Sequence, residues 1–333
     1  MRRNGLQDGR QKQQKGKRDI LTALPVIDVE RFGSTAWHPA LDQACRTWGC
    51  FQIVNHGVPA EVLAATLDAM HRFFALPEGE KRRIERTRGN AWGYFDRELT
   101  KNVRDWKEIF DVGPEASEGP MAESRPQWPE NLPGFREAVM AYYQAAAGVA
   151  ARLLEGISAN LGMPGGYLGE GFEPEHTSFL RLNHYPLCVD PEAHLGISQH
   201  TDAGALTVLL ADAEPGLQFF NDGDWRTVAP MPGALTINIG DIVQVWSNDR
   251  YAAPLHRVLA SAAAERYSAP FFYNPSYRTD YAPLPGVVDA AHPARYRAIN
   301  WGDFRAGRAA GDYADYGEEI QISHFRIAAA SDL

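Results

Sequence analysis

Between Ser178 and Tyr273 the chain carries short β-prone runs, SFLRLNHY, ALTVLL, LQFF, WRTVA, ALTINI, IVQVW, HRVLA and RYSAPFFY, separated by turn-forming residues. Runs of this length and spacing predict a β-sandwich or barrel, because each strand half-buries one face and needs a second sheet to cover it. NDGD at 221–224 supplies the residues a tight hairpin demands.

The chain before these runs is more helical. LPVIDV reads as a short strand, and Ser34 is placed to N-cap a helix through about Thr47 that buries Trp37, Leu41 and Cys45. FQIVN reads as a strand ending at the turn His56-Gly57, and Pro59 opens an amphipathic helix that ends near Leu76. From Arg86 to about Trp128 no period is sustained, and a helix from Gly134 to Leu161 is stopped by Gly162 and Pro164. A further, Arg-rich helical stretch is expected from Pro293 to Arg308.

The resulting division is a disordered basic tail (1–20), a mostly helical N-terminal region (21–165), a β core (166–285) and a C-terminal helix and tail (286–333). The tail is basic, Gln-rich and without aromatic or β-branched residues up to Arg18, so it has little apolar surface to bury. The fold class is mainly β with flanking helices.

Over 333 residues the net charge is −9, which argues against a nucleic-acid partner, since that affinity rests on cations neutralising phosphates. The 44 % hydrophobic share contains no run of the roughly 20 apolar residues a spanning helix needs, so no membrane partner is expected. Cys45, Cys50 and Cys188 are odd in number, lack zinc-type spacing and follow no secretory signal pattern, which predicts free thiols and a cytoplasmic protein. A small-molecule substrate and a monomer or weak homo-oligomer complete these expectations.

His200-Thr201-Asp202 is a His-x-Asp dyad. On a strand edge a period of two turns both side chains to one face. His256, in a later β run, offers a third ligand, and two neutral nitrogens plus one carboxylate leave three octahedral positions open on Fe(II). Ten residues on, Arg266 and Ser268 share a strand face with Phe272, and a guanidinium beside a hydroxyl is suited to a carboxylate. Metal plus carboxylate clamp implies a dicarboxylic co-substrate. In RLNHYP the residues Arg181, Asn183 and Tyr185 alternate onto one face, and His184 points away from them.

NHYP, HTD, HRV and RYS, in that order, together with FQIVNHGV and TKNVRDWKEIFDVG, resemble the plant-type 2-oxoglutarate- and Fe(II)-dependent dioxygenases related to isopenicillin N synthase. The resemblance covers roughly Leu24 to Pro285 and implies a double-stranded β-helix, a distorted cupin-like jelly-roll. It makes His200, Asp202 and His256 the iron ligands, and Arg266 and Ser268 the holders of the distal carboxylate of 2-oxoglutarate. Tyr185 and Asn183 would orient that co-substrate, and Phe272 would face the substrate. Trp92, Phe95 and Phe110 are further candidates for the pocket wall. Pro254 departs from the family's β-branched pattern before the distal histidine, so an edge strand or bulge is expected there.

The implied reaction takes 2-oxoglutarate and O2 to succinate and CO2, with the oxidant generated at the iron and no separate acid or base residue assigned. Hydroxylation of a small molecule is the first expectation, with desaturation or cyclisation as alternatives and specialised metabolism as the setting. The rivals are an oxidase like isopenicillin N synthase that uses no 2-oxoglutarate, and a ligand-binding protein without turnover.

Overall fold

The computed structural model describes residues 21–100, 103–115, 119, 122–311 and 320–328, with backbone alone at 309–311. The expected basic tail therefore lies outside the described residues.

Strands β1 (Leu21–Thr22) and β2 (Val26–Asp28) precede helix α1 (His38–Thr47), β3 (Cys50–Val54), α2 (Ala60–Phe74) and the short α3 (Glu78–Arg82). Next come β4 (Gly93–Phe95), β5 (Leu99–Thr100), β6 (Val103–Arg104), β7 (Glu108–Val112) and the long α4 (Phe135–Asn160). The β-rich half holds β8 (Phe179–Tyr185), β9 (Leu195–His200), β10 (Leu206–Ala211), β11 (Leu217–Asn221), β12 (Asp224–Val228) and β13 (Leu235–Ile239). It closes with α5 (Asp241–Trp246), β14 (His256–Leu259), β15 (Arg266–Tyr273), β16 (Asp280–Tyr281), β17 (Ile299–Asn300) and α6 (Trp301–Gly311).

The larger sheet has the order β2-β3-β13-β10-β15-β8-β7-β4, and the smaller one β1-β12-β11-β14-β9. Strand alternation assigns each face of the larger sheet a different job. On β10, Leu206, Val208 and Leu210 turn to a core shared with α1, α2 and α4, whereas Leu209 turns to a second cluster. That second cluster joins Cys50, Tyr185 and Leu209 of the larger sheet to Leu217, Phe219, Val228 and Val258 of the smaller. Two sheets facing one another across this cluster, with helices on one outer side, form the expected double-stranded β-helix.

α4 presses its apolar face on the larger sheet and ties to it through two buried hydroxyls. Tyr142 Oη donates to the Val208 carbonyl at 3.2 Å, and Tyr143 Oη to the Ser178 carbonyl at 3.0 Å. The NDGD hairpin forms as expected between β11 and β12, with positive φ at Asp222 (51°) and Gly223 (78°).

Several elements depart from the sequence reading. IVQVW is helix α5 rather than a strand. Its apolar residues are nearly all buried, and a short run buried on every side has no period that separates strand from helix. LGISQH, outside the eight β-prone runs, is β9 and ends at His200. The first helix starts at His38, with Pro39 in its first turn, and Ser34 instead closes a turn by accepting the Ala36 N–H at 3.3 Å. The C-terminal helix starts at Trp301, because Ile299–Asn300 pairs with β16 and Asn300 Oδ1 caps α6 by accepting the Asp303 N–H at 3.1 Å.

Phe110, expected at the substrate pocket, lies on the helix side of β7. It is 0 % exposed and packs its ring 5.1 Å from Phe73 and 5.3 Å from Phe135. Its partner across the ladder is Leu182, which also faces the helical core. Truncation there leaves a void between sheet and helices. Phe110→Ala is therefore expected to lower unfolding free energy by about 3–5 kcal/mol in a denaturant titration; a loss under about 1 kcal/mol would place the ring outside the core.

Candidate metal centre and carboxylate clamp

β9 and β14 pair so that His200 lies opposite His256 at the end of the smaller sheet. The register slips between His256 and Val258, a bulge of the kind Pro254 anticipates. Asp202 is not on the strand but in the loop that follows it. The period-two argument for the dyad does not apply, and other contacts aim the carboxylate.

Those contacts come from the larger sheet. Thr207 Oγ1 donates to Asp202 Oδ2 at 2.5 Å, and the Asn238 side-chain amide donates to the same oxygen. Oδ1 is left facing His256 Nε2 at 3.6 Å and His200 Nε2 at 3.7 Å. Backbone reinforces the loop: the Asp241 N–H donates to the Asp202 carbonyl at 2.8 Å. A Cβ at Gly240 would lie 2.1 Å from the Gly204 carbonyl oxygen, so only glycine lets the start of α5 approach this loop.

Each imidazole is oriented by its other nitrogen. His200 Nδ1 lies 2.8 Å from the Ser198 carbonyl and His256 Nδ1 3.0 Å from the Pro254 carbonyl. A carbonyl only accepts, so both Nδ1 atoms carry the proton and both Nε2 lone pairs point at the shared space beside Asp202. The three ligand atoms lie within 4.8 Å of one another. Burial, and then the neighbouring His256, push the His200 pKa down to about 3, which keeps it neutral. Burial alone would raise Asp202, but the two histidines and the hydrogen bonds from Thr207 and Asn238 outweigh it and hold the carboxyl below its ordinary value. Two neutral nitrogens and one anionic oxygen on a common point fit Fe(II) with positions to spare.

The clamp residues lie on the inner face of β15. Arg266 Nη1 donates to Ser268 Oγ at 3.3 Å, and the Asn183 amide reaches the same hydroxyl at 3.5 Å. Tyr185 lies opposite Arg266 in the ladder, its ring 5.2 Å from the guanidinium carbon. Arg266 is 5 % exposed, has no carboxylate partner among the described residues, and leaves Nε without a hydrogen-bond partner; Asn183 Oδ1 is likewise unpartnered. A buried cation with spare donors beside a hydroxyl fits one end of a dicarboxylate. A cavity lined by Leu209, Ala211, Leu217 and Thr236 adjoins it.

Of the aromatic candidates, Phe272 shares the inner face with Ser268 and stacks on Phe179 at 4.7 Å; Trp92 lies 5.9 Å beyond Phe179. Phe95 lies 4.2 Å beneath the Arg86 guanidinium. His184 faces the opposite side, bonded to Glu108 at 2.7 Å and stacked on Tyr267. The sequence reading missed Thr207 and Asn238. The signal was there: each is polar within an otherwise apolar strand, at an inward position.

Because Thr207 and Asn238 hold the ligand carboxylate from behind, Thr207→Val is expected to weaken Fe(II) or Co(II) binding about 10- to 100-fold in anaerobic equilibrium dialysis. Unchanged affinity would mean that Asp202 needs no such support.

Comparison with known proteins places these features in a family. Residues 24–131 match the model for the N-terminal region of non-haem dioxygenases in morphine synthesis, and residues 176–275 match that of the 2OG-Fe(II) oxygenase superfamily. Flavanone 3-dioxygenase 2 of Oryza sativa subsp. japonica is 35 % identical over 288 residues, 84 % of this chain and 82 % of that protein. The solved structure of JOX2 in complex with 2OG, Fe and JA is similar at a TM-score of 0.77 and 32 % identity, covering 86 % of this chain and 85 % of that one. A 2OG-Fe(II) oxygenase family protein of Caulobacter crescentus is similar at 0.77 and 26 %, covering 87 % and 99 %. The chain belongs to the 2OG-Fe(II) oxygenase superfamily and is a 2-oxoglutarate- and Fe(II)-dependent dioxygenase.

Proposed function

We propose that His200, Asp202 and His256 hold Fe(II), that Arg266 and Ser268 bind the distal carboxylate of 2-oxoglutarate, and that the enzyme hydroxylates a small molecule bound against the inner face of the larger sheet. The observation that carries this reading is the pairing of an oriented two-histidine, one-carboxylate set with a buried arginine that lacks an acidic partner among the described residues.

Iron in this site supplies oxidative decarboxylation of 2-oxoglutarate by O2, giving succinate, CO2 and the oxidising equivalent that inserts oxygen into a C–H bond. The protein's share is placement. Asp202 Oδ1 and the two Nε2 atoms would hold the iron, since all three converge on one shared space. Arg266 and Ser268 would hold the far carboxylate of 2-oxoglutarate and so restrict how it lies in the site. Asn183 holds the Ser268 hydroxyl, and Tyr185 lies over the guanidinium. Phe272, Phe179 and Trp92 form an apolar strip that supports an approach of substrate away from bulk water. Phe95 lines the same side.

Cys45, Cys50 and Cys188 are free and buried, which supports a reducing compartment such as the cytoplasm. Among the described residues no helix is long and apolar enough to cross a membrane.

Anaerobically purified protein given Fe(II), 2-oxoglutarate and O2 is expected to form succinate, and His256→Ala to abolish it. Retained succinate formation in that variant would remove His256 from the metal. Arg266→Ala is expected to raise the KM for 2-oxoglutarate roughly 10- to 100-fold, since hydrogen bonds to charged groups contribute about 1.5–3 kcal/mol. An unchanged KM would move the clamp elsewhere.

A further inference from the structure

Arg181 and Asp111, on the inner face of the larger sheet, join Arg86, Glu98, Asp105 and Lys107 from the adjoining segments in a second set of charges that the iron and 2-oxoglutarate sites leave unused. Arg181 donates to both oxygens of Asp111, at 2.8 and 2.9 Å, and to Glu98 at 2.7 Å. Arg86 reaches the same two carboxylates at 3.1 and 3.2 Å. Lys107 Nζ lies 2.7 Å from Glu98 and 3.0 Å from Asp105. Among the described residues three cations thus meet three carboxylates, and every one of these side chains is 6 % exposed or less except Arg181, at 16 %.

This set adjoins the reaction centre. Arg181 is on the inner face of β8, two residues before Asn183, and Phe179 precedes it on the same face. Asp105 Oδ1 accepts the Ser198 N–H at 3.3 Å, two residues before His200, and the Trp106 N–H donates to the Leu195 carbonyl at 2.9 Å. The wall therefore packs on edge strand β9 through Asp105 and Trp106, and through Arg181 it lies beside Phe179 on β8, next to the strip Trp92, Phe179 and Phe272.

Arg266 and Arg181 differ in one physical respect. Arg266 has no acidic partner among the described residues, so an incoming carboxylate supplies the counter-charge it lacks. Arg181, Arg86 and Lys107 already have theirs. A substrate carboxylate at this wall would give up its hydration and then meet Asp111 and Glu98, which repel it and must be displaced before a cation is gained. A neutral ring meets no such obstacle and stacks on Phe179 and Phe272.

We propose that the charge-matched wall of Arg86, Glu98, Asp105, Lys107, Asp111 and Arg181 makes this enzyme selective for an uncharged aromatic substrate. Phe179 and Phe272 hold its ring, and the ion-paired wall rejects its carboxylated analogues. The assignment rests on the iron and 2-oxoglutarate reading of the neighbouring site. Arg181, the most exposed member, is the specificity-determining residue, and Asp111 and Glu98 are what set its specificity.

The test measures succinate formed by the Fe(II) enzyme with unsubstituted flavanone and with matched pairs of arylalkanoic acids and their isosteric primary amides. Flavanone or the amides are expected to raise succinate above the substrate-free rate, and the acids to do so at least tenfold less. Asp111→Asn and Glu98→Gln each remove one negative charge and are expected to shift the acid-to-amide ratio about tenfold toward the acids. Acids matching or exceeding amides in the wild type would overturn the proposal, as would a ratio that neither variant moves, or no stimulation by any neutral probe. Should a variant fail to fold, the wild-type comparison decides alone. Anaerobic calorimetry of 2-oxoglutarate binding to the Fe(II) protein separates the two layers: if binding is present and selectivity absent, the wall assignment alone fails, and if binding is absent, the underlying site assignment fails.

Discussion

The constraint on which this molecule depends is the period of two along the strands of the larger sheet, which must serve two environments at once. On β15, Tyr267, Ala269, Phe271 and Tyr273 join the core under the helices, while Arg266, Ser268, Pro270 and Phe272 take the inner face. β8, β10 and β13 repeat the division: Leu182, Val208 and Ile237 lie on one side, and Asn183, Thr207 and Asn238 on the other. A one-residue slip in any of these strands would send a polar group into the core and an apolar one into the site. Helical packing and site chemistry are thereby fixed by the same register.

That register sorts buried charges by whether the chain supplies their partners. Burying an ion is costly unless it is paired and hydrogen-bonded. Along the wall the chain supplies every partner, and Glu98 shows the outcome: burial alone would raise its pKa, but Arg181, Lys107 and Arg86 hold it well below the usual carboxylate range. At Lys107 burial opposes the charge, and Asp105 and Glu98 outweigh it. Asp202 is handled in the same way, by two donors from the larger sheet and two imidazoles from the smaller. Arg266 is the exception: among the described residues it has no acidic partner, and its Nε is left without a hydrogen bond.

Much of this was legible in the sequence. Arg266 and Ser268 stand two residues apart in one β run, so their shared face followed from spacing, and NDGD fixed its own hairpin through the φ values it requires. Local chemistry was less reliable where burial is total. IVQVW looks like a strand because a helix buried on all sides shows no polar stripe, and Phe110 reads as a pocket candidate because its neighbours in sequence do not say which side of β7 carries the helices.

The sequence by itself determined which residue types were available at which strand period, and with that the β-helix and the candidates His200, Asp202, His256, Arg266 and Ser268. Only the tertiary structure decided how Asp202 is aimed and what surrounds it. Its loop has no period, and its orientation comes from Thr207 and Asn238 on strands of the opposite sheet. The wall likewise joins Arg86, Glu98, Asp105, Lys107 and Asp111 to Arg181, some 70 to 83 positions away for the carboxylates it contacts. Each of these groups, taken alone in the sequence, reads as an ordinary charged residue. Pairing across such separations depends on which strands become neighbours, and that is set by the packing of the whole chain rather than by any local stretch of it.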